Sequence, residues 1–214
     1  MIERLRIHPA RPSRTAIACG VRALRHDKLI IFPTETLYGL GADTSSPKAI
    51  RLLYRAKNRP LKKGFILLIA RRKELTRLVA RVSPAAHILA KNFWPGPLTL
   101  IFKKRGSVSK ILTGGASTVA VRCTSHPVAR SLILALGRPI TAPSANISGH
   151  AAPRTARAAI KDLRLQAGIQ LALDAGRSPR ALPSTIVDVS EKIPRILREG
   201  AIARTHIFRA LRAQ

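Results

Sequence analysis

Acidic side chains are scarce in this sequence. Across 214 residues there are 10 Asp and Glu against 39 Lys and Arg, a formal charge of +29. The carboxylates do not cluster, which excludes a cation caged by acidic oxygens, so no metal held mainly by side chains is expected. Aromatics are scarce too, at 4%. Trp94, Tyr38, Tyr54 and five Phe do not make the stacking platform of a single-strand nucleic-acid binder. Cys19 and Cys123 are the only cysteines, far apart and in no CxxC pair. They read as reduced, buried thiols of a cytosolic protein rather than as a disulfide or a metal pair. The longest apolar run, Phe65-Ile66-Leu67-Leu68-Ile69-Ala70, is far short of the roughly 20 residues of a membrane span. The N-terminus is polar, carries Pro9 and Pro12, and has no signal-peptide core. Phosphate-binding P-loop, GxGxxG and HExxH strings are missing, and the six His are scattered singly.

What is present is a foldable chain. Hydrophobic residues make up 46%, enough apolar surface to offset chain entropy. Ser13 caps an apolar periodicity that predicts a helix over 14–26, and Ser46-Pro47 opens a second to about Ala56. Further helices are predicted over 73–80, 84–92, 127–136, from Thr155 through Gln166, and over 205–212. Strands are predicted at 29–32, 65–70, 98–102, 118–123, 139–142, 169–173, 184–189 and 195–197. Trp94-Pro95-Gly96-Pro97 must be a rigid turn. Strands and helices alternate throughout, which predicts a layered α/β fold with a mixed sheet. No stretch is long enough for a linker, so residues 1–214 read as a single domain. The surplus of cations makes an anionic partner (nucleotide, RNA or acidic protein surface) a natural expectation. The cations are spread along the chain, and Arg outnumbers Lys 27 to 12, which equally fits a merely solvated surface.

Three polar clusters lie where ligands bind in open α/β sheets, at the ends of predicted elements. Pro33-Thr34-Glu35-Thr36-Leu37-Tyr38-Gly39-Leu40-Gly41 follows a buried strand and is, taken alone, also readable as a turn. Lys57-Asn58-Arg59-Pro60-Leu61-Lys62-Lys63-Gly64 ends a helix. Cations suit a helix C-terminus, but four in seven residues exceed what a cap needs and suggest a polyphosphate clamp. Pro143-Ser144-Ala145-Asn146-Ile147-Ser148-Gly149 offers small hydroxyl and amide groups after a short strand.

In order and spacing, PTETLYGLGAD, KNRPLKKG, FWPGPLTLIF, TVAVRC, APSANISG, PSTIVDV and ILREG resemble the TsaC (YrdC-like) threonylcarbamoyl-AMP synthases, over about residues 14–203. The resemblance implies a three-layer α/β fold whose twisted mixed sheet surrounds a basic cavity. It implies a cytoplasmic nucleotidyltransferase that makes threonylcarbamoyl-AMP and pyrophosphate from L-threonine, bicarbonate and ATP. The product would pass to a threonylcarbamoyl transferase complex that modifies adenosine 37 of tRNA. Mg²⁺ would be held mainly by the ATP phosphates. Carried over by motif, Lys57, Arg59, Ser144 and Asn146 are the catalytic candidates. Arg59, Lys63, Thr118, Ser144 and Arg198 would bind ATP. Thr36, Arg122, Ser184 and the backbone near Ala142 would hold L-threonine. Arg122 is chemically apt, because its planar fork matches an α-carboxylate.

The sequence also departs from the family pattern. Longer relatives carry a second, C-terminal domain, whereas this sequence ends at Gln214. Many relatives have a His in the strand after the basic loop, where Phe65–Ile69 has none. The start, Arg6-Ile7-His8-Pro9, resembles a paralogous branch, but the intact Lys57/Arg59 and Ser144/Asn146 pairs favour the synthases. A carbamoyl-transfer module would need zinc-finger and acylphosphatase segments that are missing here. The competing reading is a non-catalytic, basic RNA-binding protein of the same fold. For the synthase, weak and sequence-independent tRNA binding is expected from charge alone, whereas tight or sequence-selective binding would favour the RNA-binding reading.

Overall fold

The strings LIIF at Leu29–Phe32 and ILLI at Ile66–Ile69 are apolar throughout. Strands of that kind need cover on both faces. The computed structural model, which describes residues 2–212, provides it. In chain order the elements are β1 (Glu3–Arg6), α1 (Arg14–Arg25), β2 (Leu29–Phe32), β3 (Gly39–Gly41), α2 (Pro47–Ala56) and β4 (Ile66–Ile69). There follow α3 (Pro84–Phe93), β5 (Leu98–Lys103), α4 (Lys110–Thr113), β6 (Thr118–Cys123), α5 (Pro127–Leu136) and β7 (Ile140–Thr141). The chain continues through α6 (Ala156–Leu163), β8 (Ile169–Asp174), β9 (Thr185–Asp188), β10 (Arg195–Arg198) and α7 (Arg204–Arg212).

The strands form two mixed sheets, ordered β1-β8-β2-β3 and β10-β9-β5-β6-β4-β7. The sheets meet where β3 and the segment after it bridge to the β7 region, at Gly39–Ser144 and Asp43–Ile140. Alternation along β2 then sorts the core. Leu29 and Ile31 face one apolar layer with α2, α3 and α6, while Ile30 and Phe32 face another with α1 and α5. In β4, Leu67 and Ile69 join the first layer and Leu68 the second. That division makes the three layers.

Helix starts follow their caps. Ser13, Ser46, Ser83 and Thr155 each accept a backbone N–H three residues on, and Pro occupies the first position of α2 and α3. The stretch predicted as a helix at 73–80 is instead a 3-10 turn, Arg72–Arg77; beyond it Val79, also buried, is drawn into an isolated bridge with Lys104 rather than into a longer helix. The helix after Thr155 ends at Leu163, three residues earlier than predicted. Three elements escape the sequence patterns. β1 is a four-residue edge strand of sequence ERLR, held beside β8 partly by Arg4, whose Nε donates to Asp174 Oδ2 at 2.7 Å. β3 is Gly-Leu-Gly, where a Cβ at Gly39 or Gly41 would stand 3.0–3.1 Å from the Phe32 ring. α4 is one short turn ended by Gly114 at φ +63°. Cys123 is buried and Cys19 half-buried, and both are free thiols. Within the described residues no helix is long and apolar enough to cross a membrane.

The basic loop after α2 is pressed onto the end of α4. A Cβ at Gly64 would lie 2.7 Å from the Thr113 carbonyl, backbone against backbone. Gly64→Ala is therefore expected to lower stability by about 1–3 kcal/mol. Gly106→Ala, which meets nothing within 4 Å, should leave the thermal midpoint almost unchanged. Equal melting of the two variants would remove this contact from the account.

Candidate active site

The inner face of the larger sheet is the one that the first apolar layer does not use. Val119, Val121 and Cys123 of β6 point into the core, so Ala120 and Arg122 point the other way. Ile66 of β4, Ile101 of β5 and Ile186 of β9 share that side by the same alternation. The β2–β3 loop, the loop after α2 and the loop after β7 close over it. The result is a cavity of about 660 Å³. It contains Thr36, Lys57, Arg59, Lys63 and Arg122, together with Ala142, Ser144, Asn146, Ser184 and Arg198. Thr118 is the predicted site residue that does not line it; it lies on the same face of β6, one step beyond Ala120. Ile66, in the strand that carries no His, stands in the cavity wall, paired in register with Ala120.

At one end the guanidinium of Arg122 is 5% exposed. Its Nη1 donates to Thr36 Oγ1 at 2.9 Å and its Nε to Glu35 Oε1 at 3.2 Å. Nη2 lies 2.8 Å from the same carboxylate oxygen but off the line of a hydrogen bond, so its protons have no aligned acceptor. Thr124 Oγ1 donates to Glu35 Oε2 at 2.6 Å. Burial works against the Glu35 charge, but Arg122 and Thr124 outweigh it and hold the carboxyl below its ordinary pKa of 4.5. Glu35 was not among the sequence candidates. It sits inside the quoted PTETLYGLG string, and the one hint was an acid between threonines in a chain poor in acids.

At the other end the cations are organised by backbone carbonyls. Lys57, at the end of α2, is 2% exposed. Its Nζ donates to the carbonyls of Ser144 and Asn146, at 2.5 Å each. Burial, assisted by Arg59 and opposed by Asp162, pulls its pKa down to about 8. Lys57 was expected as a direct phosphate contact; in this geometry its ammonium braces the 144–146 loop. Arg59 donates from Nε to Lys63 O and from Nη2 to Gly64 O, both at 2.8 Å, and lies over the Phe65 ring. Asn146 Nδ2 donates to His150 O at 2.6 Å. Arg198 donates from Nη2 to Ser184 O at 2.8 Å, while Ser184 Oγ pairs with Thr99 Oγ1 at 2.8 Å. The Ser148 hydroxyl, in the wall, is buried without a partner. Tyr38 ties the two loops together: its N–H donates to Pro153 O, and Ala145 N–H donates to Tyr38 O.

No carboxylate lines this cavity. Among the described residues no group of three or more His, Cys, Asp or Glu is close enough to hold a metal. The donors suit anions: a buried fork at one end, and cations with small hydroxyl and amide groups at the other.

The fold and site define an α/β protein with a basic concavity, suited to anions, on a mixed sheet. The family model Sua5_yciO_yrdC, described as "Telomere recombination", matches residues 22–200, and the chain belongs to that family. The chain is 40% identical to the threonylcarbamoyl-AMP synthase of Pyrococcus abyssi, covering 91% of this chain and 56% of that one. It is 37% identical to the threonylcarbamoyl-AMP synthase of Thiobacillus denitrificans, covering 83% and 94% respectively. Among solved structures, the crystal structure of P. abyssi Sua5 complexed with L-threonine superposes with a TM-score of 0.91 at 37% identity, covering 99% of this chain and 61% of that one. The chain thus spans about half the length of the first curated relatives it matches.

The depressed Glu35 carboxyl has a pH signature. The native state keeps Glu35 ionised where the unfolded chain would protonate it, so the stabilisation is complete above pH 4.5 and is lost as pH falls below it. Glu35→Gln removes that contribution and is expected to cost about 3–5 kcal/mol near neutrality. The gap to wild type should narrow in melts recorded below pH 4.5. A gap that stays constant with pH would deny the carboxylate its charged role.

Proposed function

We propose that this protein synthesises threonylcarbamoyl-AMP, releasing pyrophosphate, from L-threonine, bicarbonate and ATP. The observation that carries the reading is one cavity with two differently built anion ends, in a chain whose relatives are named for this activity. Arg122 and Thr36 would take the threonine carboxylate, with Ser184 and the Ala142 backbone beside them. Arg59, Lys63, Ser144 and Arg198 would face the triphosphate. Lys57 and Asn146 would keep the 144–150 loop in place. Thr118 would act, if at all, at the margin of the nucleotide.

The reaction is then a matter of positioning. The threonine amine adds to bicarbonate-derived CO₂ to give a carbamate. A carbamate oxygen attacks the α-phosphorus of ATP, and pyrophosphate leaves, which makes the enzyme a nucleotidyltransferase. Fixed donors neutralise the charge on the phosphates and hold both reactants in one place. Mg²⁺ would supply further neutralisation, and with no carboxylate in the wall its ligands would be phosphate oxygens and water. We read residues 1–214 as one cytoplasmic domain, with its core over about 14–203. The +29 charge supports weak tRNA contact without base selection; transfer of the product to a tRNA-modifying complex is what the resemblance to the synthases implies.

The direct test is mass-spectrometric detection of threonylcarbamoyl-AMP from purified protein, ATP, Mg²⁺, threonine and bicarbonate. Pyrophosphate release should need both threonine and bicarbonate; a protein that binds RNA yet releases none would be the non-catalytic alternative. Arg59→Ala should raise the barrier by about 2–4 kcal/mol, and near wild-type turnover would reject the phosphate role. Arg122→Lys keeps the charge but loses the fork. It should raise KM for threonine at least tenfold and KM for ATP little, whereas an ATP-only defect would move Arg122 to the nucleotide.

A further inference from the structure

The two ends of the cavity differ in how their cations are balanced: Asp162 acts on Lys57 from a distance while bound to His150 and the Ile147 N–H, whereas Glu35 is paired directly with Arg122. The nucleotide end holds Lys57, Arg59 and Lys63 with no carboxylate in the wall. The Arg122 end is neutralised from behind by Glu35, which does not itself reach the cavity. Arg198 stands near enough to feel the charge of Arg122: burial first, and then Arg122, push the Arg198 pKa down. Glu35 does not depend on Arg122 alone for its position. Thr124 Oγ1 donates to one of its oxygens at 2.6 Å, and the Ser125 N–H lies 3.4 Å from the other.

We infer that Glu35 is a specificity-determining residue: by neutralising Arg122 it reserves that end of the cavity for an amino-acid carboxylate and keeps phosphate groups out. The inference rests on the synthase reading. Without Glu35, Arg122 would add an unneutralised guanidinium beside Arg198, which already faces the triphosphate, and the two would extend phosphate recognition into the threonine end. ATP or the product pyrophosphate could then occupy the threonine end. With Glu35 in place the donors on Nη1 and Nη2 remain, but Arg122 adds no net charge to that of Arg198. A monocarboxylate needs those donors and little more. A pyrophosphate, with several negative charges, would be set against a fixed carboxylate just behind the fork. The discrimination is thus partly repulsive.

The test uses the full chain and titrates L-threonine by calorimetry with and without saturating inorganic pyrophosphate. In wild type, pyrophosphate should shift the threonine Kd less than twofold. In Glu35→Gln it should weaken threonine tenfold or more, and in turnover it should become competitive with threonine, while ATP affinity stays within about threefold. Glu35→Asp keeps the charge and should keep the wild-type inhibition pattern even if its KM for threonine rises. Competition between pyrophosphate and threonine in wild type would overturn the inference. So would an ATP-binding Glu35→Gln protein in which pyrophosphate still spares threonine. If Glu35→Gln binds no ATP, Glu35→Asp decides, and competition there overturns the inference. A wild-type protein that binds no threonine at all would instead bring down the synthase reading.

Discussion

Between the last turn of α2 and the loop after β7 sits a lysine ammonium with almost no water around it. Removing water from a cation is costly unless hydrogen bonds replace it. Here the carbonyls of Ser144 and Asn146 do so, and Ser148 N–H returns a bond to the Lys57 carbonyl at 2.8 Å. The three contacts lock a helix end to a loop that belongs to another part of the chain. Since β3 is bridged to that same loop at Ser144, the buried charge braces one of the places where the two sheets join. That lock sets the wall formed by the 144–148 loop.

The interior of the cavity then follows from alternation. β6 must bury Val119, Val121 and Cys123, so Arg122 has to point inward. An inward guanidinium needs a counter-charge, and the β2–β3 loop brings Glu35 behind it. The loop is in turn held by Thr34, whose hydroxyl donates to Leu37 O at 2.6 Å. A chain with few acids thus spends one of them behind an arginine in its site. Most of the remaining cations lie outside the cavity and shape the field around the molecule rather than its chemistry.

Much of the architecture was legible beforehand. Capped, amphipathic segments such as 14–25 and 47–56 announce themselves locally, because a serine cap and an apolar stripe act within a few residues of sequence. The clustering of Lys57, Arg59 and Lys63, and the small polar string at 144–148, were visible for the same reason. β1 and β3 were not. A polar ERLR and a Gly-Leu-Gly become strands only because β8 and β2 offer them backbone partners.

The sequence by itself determined the layered α/β class with a mixed sheet, the apolar strands that demand cover on two faces, and the basic loop that invites an anion. These are consequences of local pattern and composition. Only the tertiary structure decided that Lys57 braces a loop, that Thr118 stands outside the cavity wall, and that Arg122 is paired before any ligand arrives. The partners involved lie 87 and 89 residues apart in the chain. No periodicity or motif spacing links residues so distant; their pairing is set by which strands lie side by side and by the need of a buried charge for a partner.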